Sequence, residues 1–404
     1  MGSGTPRFGR RGAAIGAGVG TGAVGLGVGL GLGIGWFYSS VLLDTRRAQV
    51  FPERVLAVDP AVDPAVDPAV GAGTVTLRRS RLTAQPGIWG LRWAGGLARV
   101  GPVLDGDATT VLRRLDGGEV PPAGARAVID AGPFDPDPSA RGLRFHEVDV
   151  AMPLGPSPAW LVPADGPDWV VLVHGRGGAR REALRILPAL HAAGLTTLTI
   201  SYRNDEGAPA APDARHHLGD TEWEDVAAAV RFARAGGARR VALQGWSMGA
   251  ALIGAFLDRS PSAADIAAVV FDAPLVDWRA TLRQQARNRR LPGRLAGVAS
   301  AVTSRRIGID FDRFDLRTHP PAVRPPTLLV HTDIDTAVPV GPSRDLAALA
   351  PELGWQMHYL EVAGTEHTGA WNADPEVYER AVAGFLAAHL ASDGRTGDLA
   401  RWEP

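Results

Sequence analysis

Hydrophobic and polar positions divide the chain into stretches with different periods. Residues 12–43 carry no charge; they are rich in Gly, Val, Leu and Ala and end in Trp36, Phe37 and Tyr38. Over 44–72 the sequence turns polar and proline-rich, with Ala57-Val58-Asp59-Pro60 repeated at 61–64 and 65–68. Between 73 and 144 short apolar runs (Thr74–Leu82, Ile88–Trp93, Val100–Leu104, Ala127–Ala131) are separated by Gly and Pro pairs. That pattern predicts strands and turns with little helix. From 145 to 391 the rhythm changes, and β-type runs alternate with helical ones. Strands are expected near Phe145–Val150, Ala159–Val162, Trp169–Val173, Thr196–Ser201, Arg240–Leu243, Ala268–Phe271, Thr327–Val330 and Gln356–Leu360. Helices fit 179–193, 221–236, 248–259, 342–350 and 375–390. Such alternation predicts an α/β fold: an eight-stranded, mostly parallel sheet with helices on both faces.

The charge-free run is longer than the roughly 20 residues a helix needs to cross a bilayer, and its aromatic cluster sits where an interface would lie. It therefore predicts a transmembrane anchor over 12–43, behind a basic tail over 1–11. A cleaved signal peptide has a shorter apolar stretch; a Gly-rich tail in water is the third reading. The spacings Gly25/Gly29 and Gly29/Gly33 would let two anchors pack as a dimer, but they also arise by chance in so Gly-rich a run. Gly20, Gly22 and Gly25 spell a nucleotide-binding fingerprint without the strand it requires. Basic residues near the span are balanced, with Arg7, Arg10 and Arg11 before it and Arg46, Arg47 and Arg54 after it. The orientation expected is N-terminus inside, with the following domain outside the cytoplasm. Proline every fourth residue blocks helix, so 44–72 reads as a stiff extended stalk.

Composition narrows the chemistry. Of the 404 residues, 45% are hydrophobic and 21% charged, enough to bury a large core. A net charge of −1 provides no global basic field for nucleic acid. The absence of cysteine excludes disulfides, thiol nucleophiles and Cys-ligated zinc or iron–sulfur centres. All 42 basic residues are Arg, so arginine content by itself says little about function.

Three motifs carry reaction chemistry. Gly245-Trp246-Ser247-Met248-Gly249 follows one β-type run and opens a helical one. Flanking glycines permit the sharp strand-to-helix turn that lifts a serine hydroxyl out of a sheet. A serine needs a base within hydrogen-bond reach, and that base needs an orienting carboxylate. His367, between small residues after the last strand, is the candidate base; Asp335, two residues before Ala337-Val338-Pro339, is the candidate acid. Asp333 and Asp272 are its rivals. Upstream, His174-Gly175-Arg176-Gly177-Gly178 leaves a strand as a Gly-rich loop, where the N–H of Arg176 or Gly177 would join that of Met248 in an oxyanion hole. His174 is expected to order that loop. Tyr202 and Trp246 are candidate substrate contacts, although Tyr202-Arg203-Asn204-Asp205 equally fits a polar turn.

With these motifs in the order Ser…Asp…His, residues 145–391 resemble the α/β-hydrolase superfamily in its esterase, lipase and peptidase-like branches. The resemblance implies an acyl-enzyme at Ser247, no metal or organic cofactor, and a cleft at the C-terminal edge of the sheet. Joined to the expected anchor, it implies a membrane-tethered serine hydrolase that cleaves carboxylic esters of small molecules or lipids. A peptidase or amidase is the alternative, and a catalytically silent scaffold a further one. Peptidase relatives often carry a large propeller, and 73–144 is too short for one, which favours esters. That lead-in either packs on the main domain or borders the cleft. A lid is expected over about 275–320; its Arg283, Arg287, Arg290 and Arg294 would share one helical face that meets anionic substrate, lipid or only solvent. Residues 392–404 read as a tail.

Overall fold

The computed structural model describes residues 32–46, 49–60, 73–132 and 134–390. The strand pattern of the lead-in closes on itself. Strands β1 (Glu53–Pro60), β2 (Gly73–Arg78), β3 (Trp89–Trp93), β4 (Gly96–Gly106), β5 (Thr110–Gly118) and β6 (Arg126–Asp130) form a barrel in the order β1-β2-β5-β4-β3-β6. The pairing of Glu53 with Ala127 closes it. Alternate residues such as Val55, Val75, Leu77, Leu91, Val100, Leu115 and Ile129 fill the interior, and closure leaves no free edges. The stalk expectation is corrected here. Ala57–Pro60, the first repeat, is the end of β1, because Val55 and Val58 turn into the barrel and Pro60 ends the strand. The repeats at 61–68 lie outside the described residues.

One interior position of β5 is charged. Arg113 is fully buried and donates to the carbonyls of Gly101, Thr83, Gln85 and Gly87 at 2.7–3.0 Å. Burial lowers its pKa to about 10, so it keeps its charge at neutral pH. Arg113 thereby ties the segment between β2 and β3 to the barrel wall.

The second sheet holds β7 (His146–Met152), β8 (Gly155–Val162), β9 (Trp169–Val173), β10 (Thr196–Ile200), β11 (Val241–Trp246), β12 (Ile266–Asp272), β13 (Thr327–Thr332) and β14 (Met357–Val362). Its order is β14-β13-β12-β11-β9-β10-β8-β7. It is parallel except at β8, which runs antiparallel to both β7 and β10. The pleat sorts the core: Val171 and Val173 face α3 (Trp223–Ala235) and α4 (Met248–Arg259), whereas Val170 and Leu172 face α2 (Leu187–Ala192) and α9 (Pro375–Leu390). All eight expected strands are present.

The segment between β12 and β13 forms α5 (Trp278–Asn288) and α6 (Arg294–Ile307). The chain breaks at Pro292-Gly293, so the four arginines do not share one helix face as expected: Arg283 and Arg287 lie on α5, Arg290 in the connection, and Arg294 opens α6. A helix over 32–43, α1, packs on α6. A Cβ on Gly35 would lie 2.8 Å from Val298, and Ser39 and Leu43 are buried. Arg306 donates to the hydroxyls of Ser39 (3.1 Å) and Ser40 (2.9 Å). The last third of the expected anchor is thus packed on protein, because its small and hydroxyl residues match the α6 surface. No helix among the described residues is long and apolar enough to cross a membrane. The rest of the expected anchor, 12–31, and the tail beyond 390 lie outside the described residues.

The barrel docks on the α/β unit through Asn372 in α8 (Ala370–Ala373). Its amide donates to the carbonyls of Ile88 (2.7 Å) and Ala131 (3.0 Å), and its carbonyl accepts from the Ile88 N–H (2.9 Å). We expect Arg113→Met to lower the stability of the chain by about 3 kcal/mol, since four buried carbonyls lose a charged donor. Urea unfolding followed by tryptophan fluorescence measures this, and an unchanged midpoint would contradict it.

Candidate active site

The site forms where β11 ends. Ser247 joins β11 directly to α4 with φ 51° and ψ −115°, a conformation rare for a residue with a side chain. Two glycines make room for it. A Cβ on Gly249 would lie 2.2 Å from the carbonyl oxygen of Val173, and one on Gly245 would lie 2.7 Å from the backbone of α4. The Ser247 N–H donates to the Asp272 carbonyl (2.8 Å), which holds the turn against β12.

Three expected residues come together. His367 Nε2 is 2.9 Å from Ser247 Oγ, and His367 Nδ1 is 2.5 Å from Asp335 Oδ2. The other Asp335 oxygen accepts from the N–H groups of Ala337 (2.7 Å) and Val338 (2.8 Å). Burial would raise the Asp335 pKa, but His367 and His331 outweigh it and hold the carboxyl well below its ordinary value. Burial likewise opposes a charged His367, and the Asp335 carboxylate outweighs it, so the imidazole pKa is raised. The two rivals are engaged elsewhere. Asp333 accepts from the Gly364 N–H (2.7 Å), and Asp272 accepts from the Tyr378 hydroxyl (2.7 Å).

Two further groups hold the acid, and the sequence reading missed both. His331 Nε2 lies 3.3 Å from Asp335 Oδ2, while its Nδ1 meets the Ser343 hydroxyl at 2.8 Å. From α5, Gln284 donates to the Asp335 carbonyl (3.0 Å) and Asn288 to that of Thr336 (2.7 Å). His331 opens the same short motif as Asp335, so spacing offered a signal. The α5 amides offered none.

An open cavity of about 800 Å³ meets Ser247 and His367. Arg176 and Gly177 line it, while Met248 occupies the first turn of α4 with its side chain buried. Glu182, also missed, fixes the Gly-rich loop by accepting from the Gly175 N–H at 2.7 Å. His174 is buried with Nε2 2.8 Å from Asp205 and its ring stacked on Tyr202, as expected of a residue that orders the loop. The substrate-contact expectation is corrected. Tyr202 is buried, and its hydroxyl donates to the carbonyls of His174 and Gly175; Trp246 is buried in the core beneath the Arg185 guanidinium. Neither lines the cavity, although Ser201 and Ser247, their neighbours in sequence, do. Asp205 closes the polar turn by accepting from the Tyr202 N–H (2.7 Å). The barrel both packs on the α/β unit and borders the cavity, to which it contributes Arg92, Asp130 and Gly132.

Beside this lies a smaller cavity of about 90 Å³ between α1 and the α5–α6 pair, lined mainly by apolar residues that include Val41, Leu42, Leu282, Leu291 and Leu295. Arg176 lines both cavities.

This is the α/β-hydrolase fold, and the chemistry its elbow offers is that of a serine hydrolase. The model of the prolyl oligopeptidase family matches residues 189–393, just over half of the chain, and the chain belongs to that family. Residues 64–130 match a domain of unknown function (DUF8805), which covers most of the barrel. Two crystal forms of the esterase Pf2001 from Pyrococcus furiosus share the α/β fold. One is 18% identical with a TM-score of 0.52, covering 63% of this chain and 95% of that one. The other is 17% identical with a TM-score of 0.51, covering 63% and 97%. No curated protein matches the sequence.

In Asp335→Asn, burial of His367 persists without the opposing carboxylate. We therefore expect the imidazole pKa, raised in the native protein, to fall. NMR titration of the His367 ring would measure it; an unchanged pKa would contradict the electrostatic account.

Proposed function

We propose that this serine hydrolase cleaves carboxylic esters through an acyl-enzyme on Ser247. The observation that carries the reading is the unbroken relay from Ser247 through His367 to Asp335, which opens on a cavity of about 800 Å³. His367 takes the serine proton as Ser247 attacks the ester carbonyl, then returns it to the leaving alcohol. Water reverses the sequence at the acyl-enzyme. Asp335 holds the ring tautomer and stabilises the imidazolium. The N–H of Met248 and that of Arg176, or of Gly177, receive the oxyanion. The acyl chain turns past Arg176 into the apolar cavity beside the lid. Amide hydrolysis is the second reading, and membership of the prolyl oligopeptidase family favours it.

We further propose that the charge-free residues 12–31 tether the chain to a membrane with the catalytic domain outside the cytoplasm. A reporter fused after residue 404 and active only in the cytosol should stay silent; activity would overturn that orientation.

Ser247→Ala should abolish labelling by a fluorophosphonate and lower nitrophenyl ester turnover at least about 10⁴-fold. An unlabelled native protein would overturn the serine mechanism, and amide turnover matching ester turnover would favour the second reading. Because neutral His367 is the base, kcat/KM should rise as pH passes its raised pKa, and that limb should move to lower pH in Asp335→Asn. Leu295→Trp should shift the acyl-length optimum to shorter chains in a series of nitrophenyl esters. An unchanged optimum would remove the small cavity from the substrate path.

A further inference from the structure

The net charge of −1 conceals a segregated basic surface. Between Trp278 and Ile309 there are eight arginines (279, 283, 287, 289, 290, 294, 305 and 306) and no acidic residue. Only Arg279 and Arg283 of these reach a carboxylate among the described residues, Arg283 at no better than 3.7 Å. Arg287, Arg290, Arg294 and Arg305 are exposed and have no acidic partner among the described residues. An aromatic rim adjoins them. Trp36 and Phe37 on α1 are 56% and 60% exposed; Arg306 lies 4.2 Å over the Trp36 ring and Arg289 5.7 Å over that of Tyr38. Immediately before α1 in sequence stand the twenty charge-free residues 12–31.

We propose that the face formed by α1, α5 and α6 docks flat on an anionic lipid bilayer. Three observations converge on lipid. Unpaired guanidiniums without intervening acids complement a layer of phosphates. Exposed tryptophan and phenylalanine beside arginine suit the headgroup region, where an amphipathic ring keeps one side apolar. The apolar segment directly precedes α1, so a tether there would hold the α1 face near the bilayer; in this respect alone the inference rests on the tether reading. Docking places the lid and the small apolar cavity at the membrane surface.

Because the chain contains no cysteine, single-cysteine labelling tests the face directly. Ala301→Cys on α6 and Val377→Cys on α9, both exposed positions, would each carry an environment-sensitive dye in the full chain. Each protein would be reconstituted from detergent with vesicles of phosphatidylcholine alone, or with about 30% phosphatidylglycerol, containing a headgroup quencher. The expected result is at least about fivefold stronger quenching at position 301 than at 377 on anionic vesicles, and its loss in roughly 0.5 M salt. The combined variant Arg287→Gln, Arg290→Gln, Arg294→Gln, Arg305→Gln should lose the quenching yet keep turnover of a soluble ester. Equal quenching at both positions, or quenching that survives the variant, would overturn the docking face. Flotation separates the two readings. Flotation with anionic vesicles alone supports the face and removes the tether; flotation with both but no selective quenching removes the face and keeps the tether; flotation with neither removes both.

Discussion

The turn at Ser247 is the constraint on which the site depends. A residue with a side chain at φ 51° costs about 1–3 kcal/mol and persists only where packing enforces it. Here the enforcement comes from contact between Gly249 and the end of β9, so close that no other residue fits. The same contact joins two strand ends. β11 delivers the serine and β9 delivers the Gly-rich loop, and they meet because their parallel pairing is in register up to Gly245 and Val173. Ser247 and the Gly-rich loop therefore share one cavity as a consequence of sheet register.

The histidine is supported from the other side, by the barrel. Arg113 gathers the carbonyls of residues 83, 85 and 87 inside the lead-in. That segment in turn meets the His367 loop: Gln85 accepts from the Glu366 N–H (3.0 Å), and Arg81 pairs with the Glu366 carboxylate (3.0 Å). Arg185 approaches the same loop from the α/β unit and donates to the Thr368 carbonyl (2.6 Å). A buried guanidinium is costly to desolvate and is retained where several carbonyls can be held at once. The lead-in is thus a structural partner of the His367 loop as well as a wall of the cleft.

Charge is distributed with equal economy. Behind the cavity, the carboxylates of Asp335 and Glu182 hold His367 and the Gly-rich loop. Arginines without acidic partners among the described residues concentrate on α5, α6 and their connection. A chain near neutrality overall therefore presents a cationic face beside an apolar cavity.

Local information decided much of this in advance. The periods of the α/β unit place all eight of its strands, most plainly β9 to β13, whose apolar runs are buried on both faces of the sheet. The elbow was legible because only glycine on either side of Ser247 permits the turn, and Asp335 and His367 because each follows a strand end. What the sequence did not reveal was decided by contacts between distant segments. Tyr202 and Trp246 stand beside catalytic loops in sequence, yet packing buries both. The first Ala-Val-Asp-Pro repeat looks like linker but pairs as a strand, because a barrel assembled from later residues offers it an edge. The α5 amides and Gln85 acquire roles only through partners far along the chain. Secondary structure follows from neighbours a few residues apart, whereas burial and hydrogen-bond partnership are properties of the assembled molecule.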